Sequence, residues 1–527
     1  MRNNQASLPM QKRSPLFCTL IVSIGGFLFG FDASVISGAI VYLDALYDLS
    51  SLNKGWIVSA PAFSAMFAML GSGVLSDRIG RKKTLQIVAF CYVLSAFLSA
   101  ISQNIGSLVA ARMLGGMAFG GALIIVPVYI SEISPTKQRG RLVSMQQMNI
   151  VIGFLTAYFS NYFIGVYLDQ WVSEPNIWRW MLAVELLPAL LFVILLPKIP
   201  ESPVWLMSRA GLANPLKSME LEHSLLEENR SVSSSLLRSV MHHKKHVSLL
   251  WSSRWRPIFL VAIFLGILQQ ITGINAIFFY ATSIFEKTGI GIDASLAQTV
   301  AVGVINIVFT LFAFLTIDRY GRRFLLLWGL VGMILSMSIT AYGFANAKYV
   351  LTKEIIAKYE HQFEFDRPFQ VFQELIGVNH TNEGAFKVEL TRALNQISWI
   401  EKENVSDNDK LSIFRVLVLE SKQFNSWMVL LGILGFVASF ACSLGPVMWV
   451  ILSEIFPTHL RGLGISIVGF LNSFTSWVTQ LVFPIGLNII GDGYTYAIFA
   501  SIAAIGWWVI YRYLPETKGK NLEMLVK

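Results

Sequence analysis

A helix that crosses the hydrocarbon core of a bilayer needs about 20 mainly apolar residues. This chain offers twelve such runs, at residues 15–43, 55–76, 84–103, 107–130, 143–166, 179–197, 257–285, 295–317, 324–346, 426–452, 463–488 and 493–513. In lipid, every backbone N–H and C=O must be satisfied within the protein, which restricts spanning segments to helices or closed barrels. Barrel strands run about 10 residues and alternate apolar with polar, whereas these runs are long and unbroken, so the reading is an all-α membrane protein with twelve transmembrane helices. Composition agrees: 54% of residues are hydrophobic and 14% charged, against about 25% charged in soluble domains. The first run is too long for a cleaved secretory signal and reads as a helix.

Lys and Arg orient the spans. Twelve crossings put both termini on one side, and the segments on that side hold about 27 of the 41 Lys and Arg. The five short loops opposite hold Lys54 and Lys287 alone. This is the positive-inside pattern, so the expected location is the cell membrane with both termini cytoplasmic. The net charge of +9 then reflects topology and is no nucleic-acid signal. Cys18, Cys91 and Cys442 all fall in apolar runs and have neither disulfide nor metal-ligand spacing. His242, His243 and His246 sit in a basic, solvated stretch. No metal, cofactor or catalytic constellation is expected, so an enzyme is disfavoured; nothing bears on oligomeric state.

The chain is written twice. "DRIGRKK" at 77–83 answers "DRYGRRF" at 318–324, "SEISPTKQRG" at 131–140 answers "SEIFPTHLRG" at 453–462, and "PESP" at 200–203 answers "PETK" at 515–518. The copies follow the second, fourth and sixth spans and then the eighth, tenth and twelfth. That is a parallel repeat of two six-helix bundles, a known transporter pattern. The bundles are 1–197 and 257–346 with 425–514; 198–256 is a cytoplasmic helical linker and 515–527 a cytoplasmic tail. Asp77 to Ser131 is 54 residues and Asp318 to Ser453 is 135, so 81 extra residues lie between the ninth and tenth spans. They coincide with the polar stretch 347–424, with 12 acids and 10 bases. Ile355, Ile356, Tyr359 and Phe363 recur there at helical spacing, which predicts a small helical unit outside the membrane. Asn379-His-Thr and Asn404-Val-Ser fit glycosylation sequons.

At "DRIGRKK", "PVYISEISPTKQRGRLVS", "PESPVWL", "QQITGINAIFFYA", "DRYGRR", "GPVMWVILSEIFPTHLRG" and "PETKGK", taken in order, the chain resembles the sugar porter family of the major facilitator superfamily. It looks closest to bacterial proton-coupled, xylose-type symporters. The resemblance covers nearly the whole chain outside 347–424. It implies alternating access around a midplane site.

Asp32 lies mid-span, where a carboxylate costs roughly 2.5–3.5 kcal/mol to insert, and so needs a partner. Arg112 is the one basic residue deep in the first half's apolar core. The pair Asp32–Arg112 is read as the proton-coupling site, the bland alternative being a static salt bridge. Proton-coupled relatives carry Asp at this position and facilitative ones Asn, which favours symport. Gln147, Gln269, Gln270, Asn275, Asn306 and Asn472 place amides at membrane depth; each donates and accepts, as sugar hydroxyls do. Trp449 offers a ring to a sugar's C–H face. Interhelical glue is the alternative, but the resemblance puts all seven at substrate-binding positions. Gln269 and Asn275 would stand about 120° apart on an ideal helix, and face one cavity if the helix breaks near Gly273. Phe279 and Tyr280 are read as a gate, and Gly445-Pro446 as a hinge. Departures from the family are Phe154 for Gln, Phe279 for Tyr, Ser473 for Trp and Val204 for Arg. The first three point to a ligand less hydroxylated than xylose or glucose, or shaped differently.

Glu132, Arg139, Glu454, Arg461, Arg81, Arg322, Glu201 and Glu516 come from the doubled motifs and lie just beyond helix ends. They are read as a cytoplasmic latch, made when the cavity faces outward and broken when it faces inward. The expected function is proton-coupled import of a neutral monosaccharide, with sugar, proton and bilayer as partners. A facilitative uniporter and a sugar receptor on a transporter fold remain as alternatives.

Overall fold

The computed structural model describes residues 14–518 apart from 136–137, 169–175, 214–254, 347, 361–371, 373, 381–382, 401–412, 415, 419–420, 424 and 457. Among the described residues, twelve helices are long and apolar enough to span a bilayer: Pro15–Tyr47, Ser51–Ile79, Arg81–Ala100, Ile105–Ile133, Arg139–Leu168, Ile177–Lys198, Arg256–Phe279, Ile292–Tyr320, Arg322–Ala345, Ser426–Ile455, Leu463–Ile489 and Asp492–Tyr513. They form two bundles of six. His242, His243, His246, Asn404 and most of the linker lie outside the described residues.

Small residues set the helix spacing, because lipid supplies no hydrophobic drive between helices and backbones must approach closely. A Cβ at Gly30 would lie 2.0 Å from the Ile150 carbonyl oxygen, and one at Gly153 would lie 2.2 Å from that of Phe27. The first and fifth spans therefore interlock backbone to backbone. Gly116 is packed just as tightly on Pro61: a Cβ there would lie 2.1 Å from the Pro61 carbonyl oxygen.

Several spans are interrupted. The sixth breaks at Val184–Glu185, between Ile177–Ala183 and Leu186–Leu195. The seventh runs in three pieces, Arg256–Ile271, Ile274–Phe279 and Ala281–Glu286. The tenth breaks at Cys442–Ser443, so Gly445 and Pro446 fall in the first turn of its second piece, Leu444–Ile455. The break thus precedes the predicted hinge dipeptide; a first-turn Pro needs no helical N–H partner.

Between the ninth and tenth spans, Lys348–Tyr349 (β1) pairs antiparallel with Lys422–Gln423 (β2). With helices Lys353–Glu360 and Glu383–Ile400, these strands enclose a separate small core of Tyr349, Leu351, Ile356, Phe372, Phe386, Leu390 and Leu417. The 347–424 stretch thus buries apolar surface of its own, and its ends are tied together where they leave the membrane.

Candidate functional site

Asp32 and Arg112 meet in the first bundle. Arg112 Nη1 stands 3.4 Å from Asp32 Oδ1, with both side chains almost fully buried. Arg112 Nε donates to the Ile57 carbonyl at 3.0 Å and Nη2 to the Asp32 carbonyl at 3.3 Å. The Ile57 acceptor has a cause: Pro61, four residues on in the second span, has no N–H to take it. Asp32 Oδ2 has no hydrogen-bond partner. A second carboxylate, Glu185, comes in from the break in the sixth span, 3% exposed with Oε1 unpartnered. Arg112 forms its ion pair with Asp32, and Glu185 is a second buried carboxylate of the same bundle. Sequence reasoning missed Glu185, although the acid in "WRWMLAVELLPALL" was a signal of the same kind as Asp32.

In the second bundle, the break in the seventh span brings four amides together. Gly273 has φ +93°, a conformation that favours glycine, and a Cβ there would lie 2.7 Å from the Phe499 ring. Gln270 Nε2 donates to Asn472 Oδ1 at 3.2 Å, and Asn472 Nδ2 donates to Gln269 Oε1 at 2.8 Å. Asn275 Nδ2 donates to Gln270 Oε1 at 2.8 Å and to Ser476 Oγ at 2.7 Å. Gln269 Nε2 reaches the Leu444 carbonyl at 3.0 Å and the Gly445 carbonyl at 3.2 Å, next to the break in the tenth span. The ring is polar and preorganised, and Asn275 is only half buried. Among the described residues, the other three candidates make no hydrogen bond to it. Gln147 is half buried on the fifth span, Asn306 Oδ1 accepts from Thr310 at 3.5 Å, and Trp449 is 41% exposed on the tenth.

Phe279 lies four residues beyond Asn275, hence one turn along the same helix face. Its ring stacks on Phe154 of the other bundle at 6.3 Å and 11°, and Phe154 also meets Phe278 at 4.9 Å. An aromatic wall from both bundles thus caps the amide ring. Past it the bundles are stitched together. Tyr158 Oη donates to the Phe278 carbonyl at 2.7 Å, and Ser37 Oγ and Thr282 Oγ1 lie 3.1 Å apart. Tyr280 Oη donates to the carbonyls of Lys54 at 3.3 Å and Gln480 at 3.2 Å. Pro484 leaves the Gln480 carbonyl free for it, as Pro61 does for Ile57. Trp56 and Phe63 pack on Trp477 at 6.1 and 5.1 Å. Lys54 pairs with Asp44 at 2.5 Å and Lys287 with Asp492 at 2.7 Å. Among them, burial and the charge of Asp44 push Glu286 up to about 7, against the pull of Lys54 and Lys287.

At the opposite end the doubled motifs make doubled geometry. Arg81 pairs with Glu132 at 3.0 Å, and Arg322 with Glu454 at 2.8 Å. Glu201 Oε1 accepts from the Lys82 N–H at 3.0 Å, and Glu516 from the N–H groups of Arg322 and Arg323, each at 3.0 Å. Gly80 at φ +102° and Gly321 at φ +93° make the turns that aim these N–H groups. Partial burial opposes the charge of Glu516, but backbone N–H groups, from Lys518 and Arg322 first, hold its carboxyl below the usual range. Each pair joins helices of a single bundle, so these contacts do not bridge the two halves as a latch would. Arg139 keeps a buried Nε without a partner; the Arg461 side chain lies outside the described residues.

Comparison with known proteins gives one consistent result. The family model described as "Sugar (and other) transporter" matches residues 18–358 and 411–526. The Arabinose-proton symporter of Bacillus subtilis is 30% identical over 99% of this chain and 97% of its own length. The Glucose transport protein of Synechocystis sp. is 31% identical over 99% and 100%. Among solved structures, the inward open conformation of the xylose transporter XylE from E. coli superposes with a TM-score of 0.69, at 27% identity, over 97% of this chain and 99% of that one.

Proposed function

This chain belongs to the sugar porter family of the major facilitator superfamily, a family of membrane transporters and not enzymes, and from that premise we propose that it imports a neutral monosaccharide together with a proton. The carrying observation is the buried ion pair Asp32–Arg112, with Glu185 a second buried carboxylate in the same bundle. With both acids ionised the three groups hold one net negative charge at membrane depth. Taking up one proton neutralises it, so protonation and reorganisation of the first bundle are linked. The amide ring of Gln269, Gln270, Asn275 and Asn472 suits hydroxyl groups that both donate and accept. Gln147, Asn306 and Trp449 are kept in the reading as further substrate contacts.

On the positive-inside rule, the doubled motifs and both termini are assigned to the cytoplasmic side of a cell membrane in this reading. The bundles are stitched at the Lys54 and Lys287 end, so this arrangement is the inward-facing form. Rocking outward would part Phe154 from Phe279 and Tyr280 from Lys54. It would bring the motif-bearing ends together, where Glu132, Arg139, Glu454 and Arg461 would latch across the halves. The relatives support the reading in kind: one carries the name of an arabinose-proton symporter, another that of a glucose transport protein.

The test is uptake of labelled pentoses, hexoses and inositols into vesicles holding the purified protein, under an imposed pH gradient. Accumulation that vanishes when the gradient is collapsed supports symport. Uptake that only equilibrates, with or without the gradient, favours the uniporter reading.

A further inference from the structure

We propose that the groove between the charged ends of the second and third spans and the helix Pro203–Ala213 binds the headgroup of an anionic phospholipid. The groove has a volume of about 760 Å³ and is lined by Arg78, Ile79, Lys83, Gln86, Ile87, Phe90, Trp205 and Arg209. That volume falls within the ~300–1,000 Å³ range of small-ligand sites. Three cations line it and no acid does. The nearest acids are engaged elsewhere, Asp77 with Arg81 at 2.5 Å and Glu201 with the Lys82 N–H at 3.0 Å.

The walls are fixed by the chain itself. Trp205 Nε1 donates to the Asp77 carbonyl at 2.9 Å, and Arg209 Nη1 to the Arg78 carbonyl at 2.7 Å. Arg209 also lies over the Trp205 ring at 5.3 Å. The short helix is thereby pinned to the end of the second span and holds its guanidinium over the groove. On the third span, Lys83, Ile87 and Phe90 follow one helical face. Ile87 is 46% and Phe90 61% exposed, on a helix that lies in the bilayer, so these side chains meet acyl chains. The groove thus runs from cations at the membrane surface to apolar side chains below it, with a Trp at the boundary. A phosphodiester with two acyl tails has the same division of charge and grease, and basic pockets on the cytoplasmic side of spans suit anionic headgroups.

The other bundle sharpens the inference. In the matching motif Phe324 stands where Lys83 stands in the first. There the Arg319 carbonyl is taken by Lys518 Nζ at 2.7 Å, and Arg323 Nη2 is spent on the Tyr511 carbonyl at 2.6 Å. The second copy thus lacks the Lys83 cation, and a lysine of the tail takes the carbonyl that Arg209 takes in the first.

The experiment uses the full chain in detergent and native mass spectrometry of retained lipid. Phosphatidylglycerol and phosphatidylcholine with identical acyl chains are offered in equal amounts. The expected result is at least a tenfold preference for phosphatidylglycerol. The preference should be lost in the variant Arg78→Ala, Lys83→Ala, Arg209→Ala and kept in the control Arg319→Ala, Arg323→Ala. Should the triple variant not fold, Lys83→Phe, which keeps every wall contact named above, should reduce the preference several-fold. Equal retention of the two lipids, or a triple variant that matches the parent, overturns the proposal. Displacement of the lipid by equimolar inorganic phosphate also overturns it, since the site would then read phosphate without the tails.

Discussion

Replacing Asp32 by Asn is the sharpest probe of proton coupling. The substitution keeps shape and removes a charge. At the observed 3.4 Å, the Asp32–Arg112 attraction is about 5 kcal/mol for an effective dielectric of about 20. Desolvation of each ion costs several kcal/mol in opposition. Leaving a buried cation unpaired usually costs roughly 3–5 kcal/mol; Arg112 keeps its hydrogen bonds to the Ile57 and Asp32 carbonyls, so the loss should not exceed that range and the variant should fold. Its effect on transport should be much larger. Each pH unit across the membrane supplies about 1.36 kcal/mol per proton, enough for about tenfold accumulation at one proton per sugar. With the exterior two units more acidic, the parent should approach about hundredfold accumulation. Asp32→Asn should reach no more than equal concentrations on the two sides. Its exchange of internal for external labelled sugar, which needs no net proton movement, should survive. Proteoliposomes loaded with sugar measure both quantities in one preparation. Accumulation retained by Asp32→Asn would refute the assignment of the proton to this pair. Loss of exchange in a variant that still binds sugar would make Asp32 a structural residue.

Three further outcomes follow from the same geometry. Phe154→Gln removes one ring of the aromatic wall beside the amides; it should lower Tm, costing about 1–3 kcal/mol, and shift binding toward more fully hydroxylated sugars, read by isothermal titration across a sugar panel. Gly273→Ala combines a left-handed backbone with a 2.7 Å approach to Phe499; a loss of about 2–5 kcal/mol is expected in a denaturation assay, with sugar affinity falling as the amide ring loses register. Glu286 has a folded-state value of about 7, above the unfolded value of about 4.3. The folded form then binds the proton more tightly, so this group's contribution is fully present below about pH 4.3 and is lost as pH rises through about 7. Glu286→Gln should flatten that limb of the Tm–pH curve, and an unchanged curve would dismiss the group.

Much of this protein is visible without coordinates, because a bilayer leaves so few solutions. Runs of about 20 apolar residues must be helices, Lys and Arg mark one face, and the doubled motifs mark two bundles. The repeat spacing alone located the 81 extra residues, which carry a core of their own. The glycine at 273 already suggested a broken helix, since no other residue takes φ +93° so readily. What composition and spacing could not supply was contact across helices. The Glu185 carboxylate is buried at the break in the sixth span, which its sequence neighbours do not announce. Gln147 and Asn306 share the chemistry of the amide ring, yet neither hydrogen-bonds to it. Arg81 and Glu132 were legible only as opposite charges in the doubled motifs; the tertiary structure pairs them within one bundle. Any Pro lacks an N–H, but tertiary structure alone reveals that Arg112 and Tyr280 take up the carbonyls that Pro61 and Pro484 free. Periodicity and charge are local properties written along the chain, whereas a shared acceptor or an orphaned carboxylate exists only once distant segments are in place.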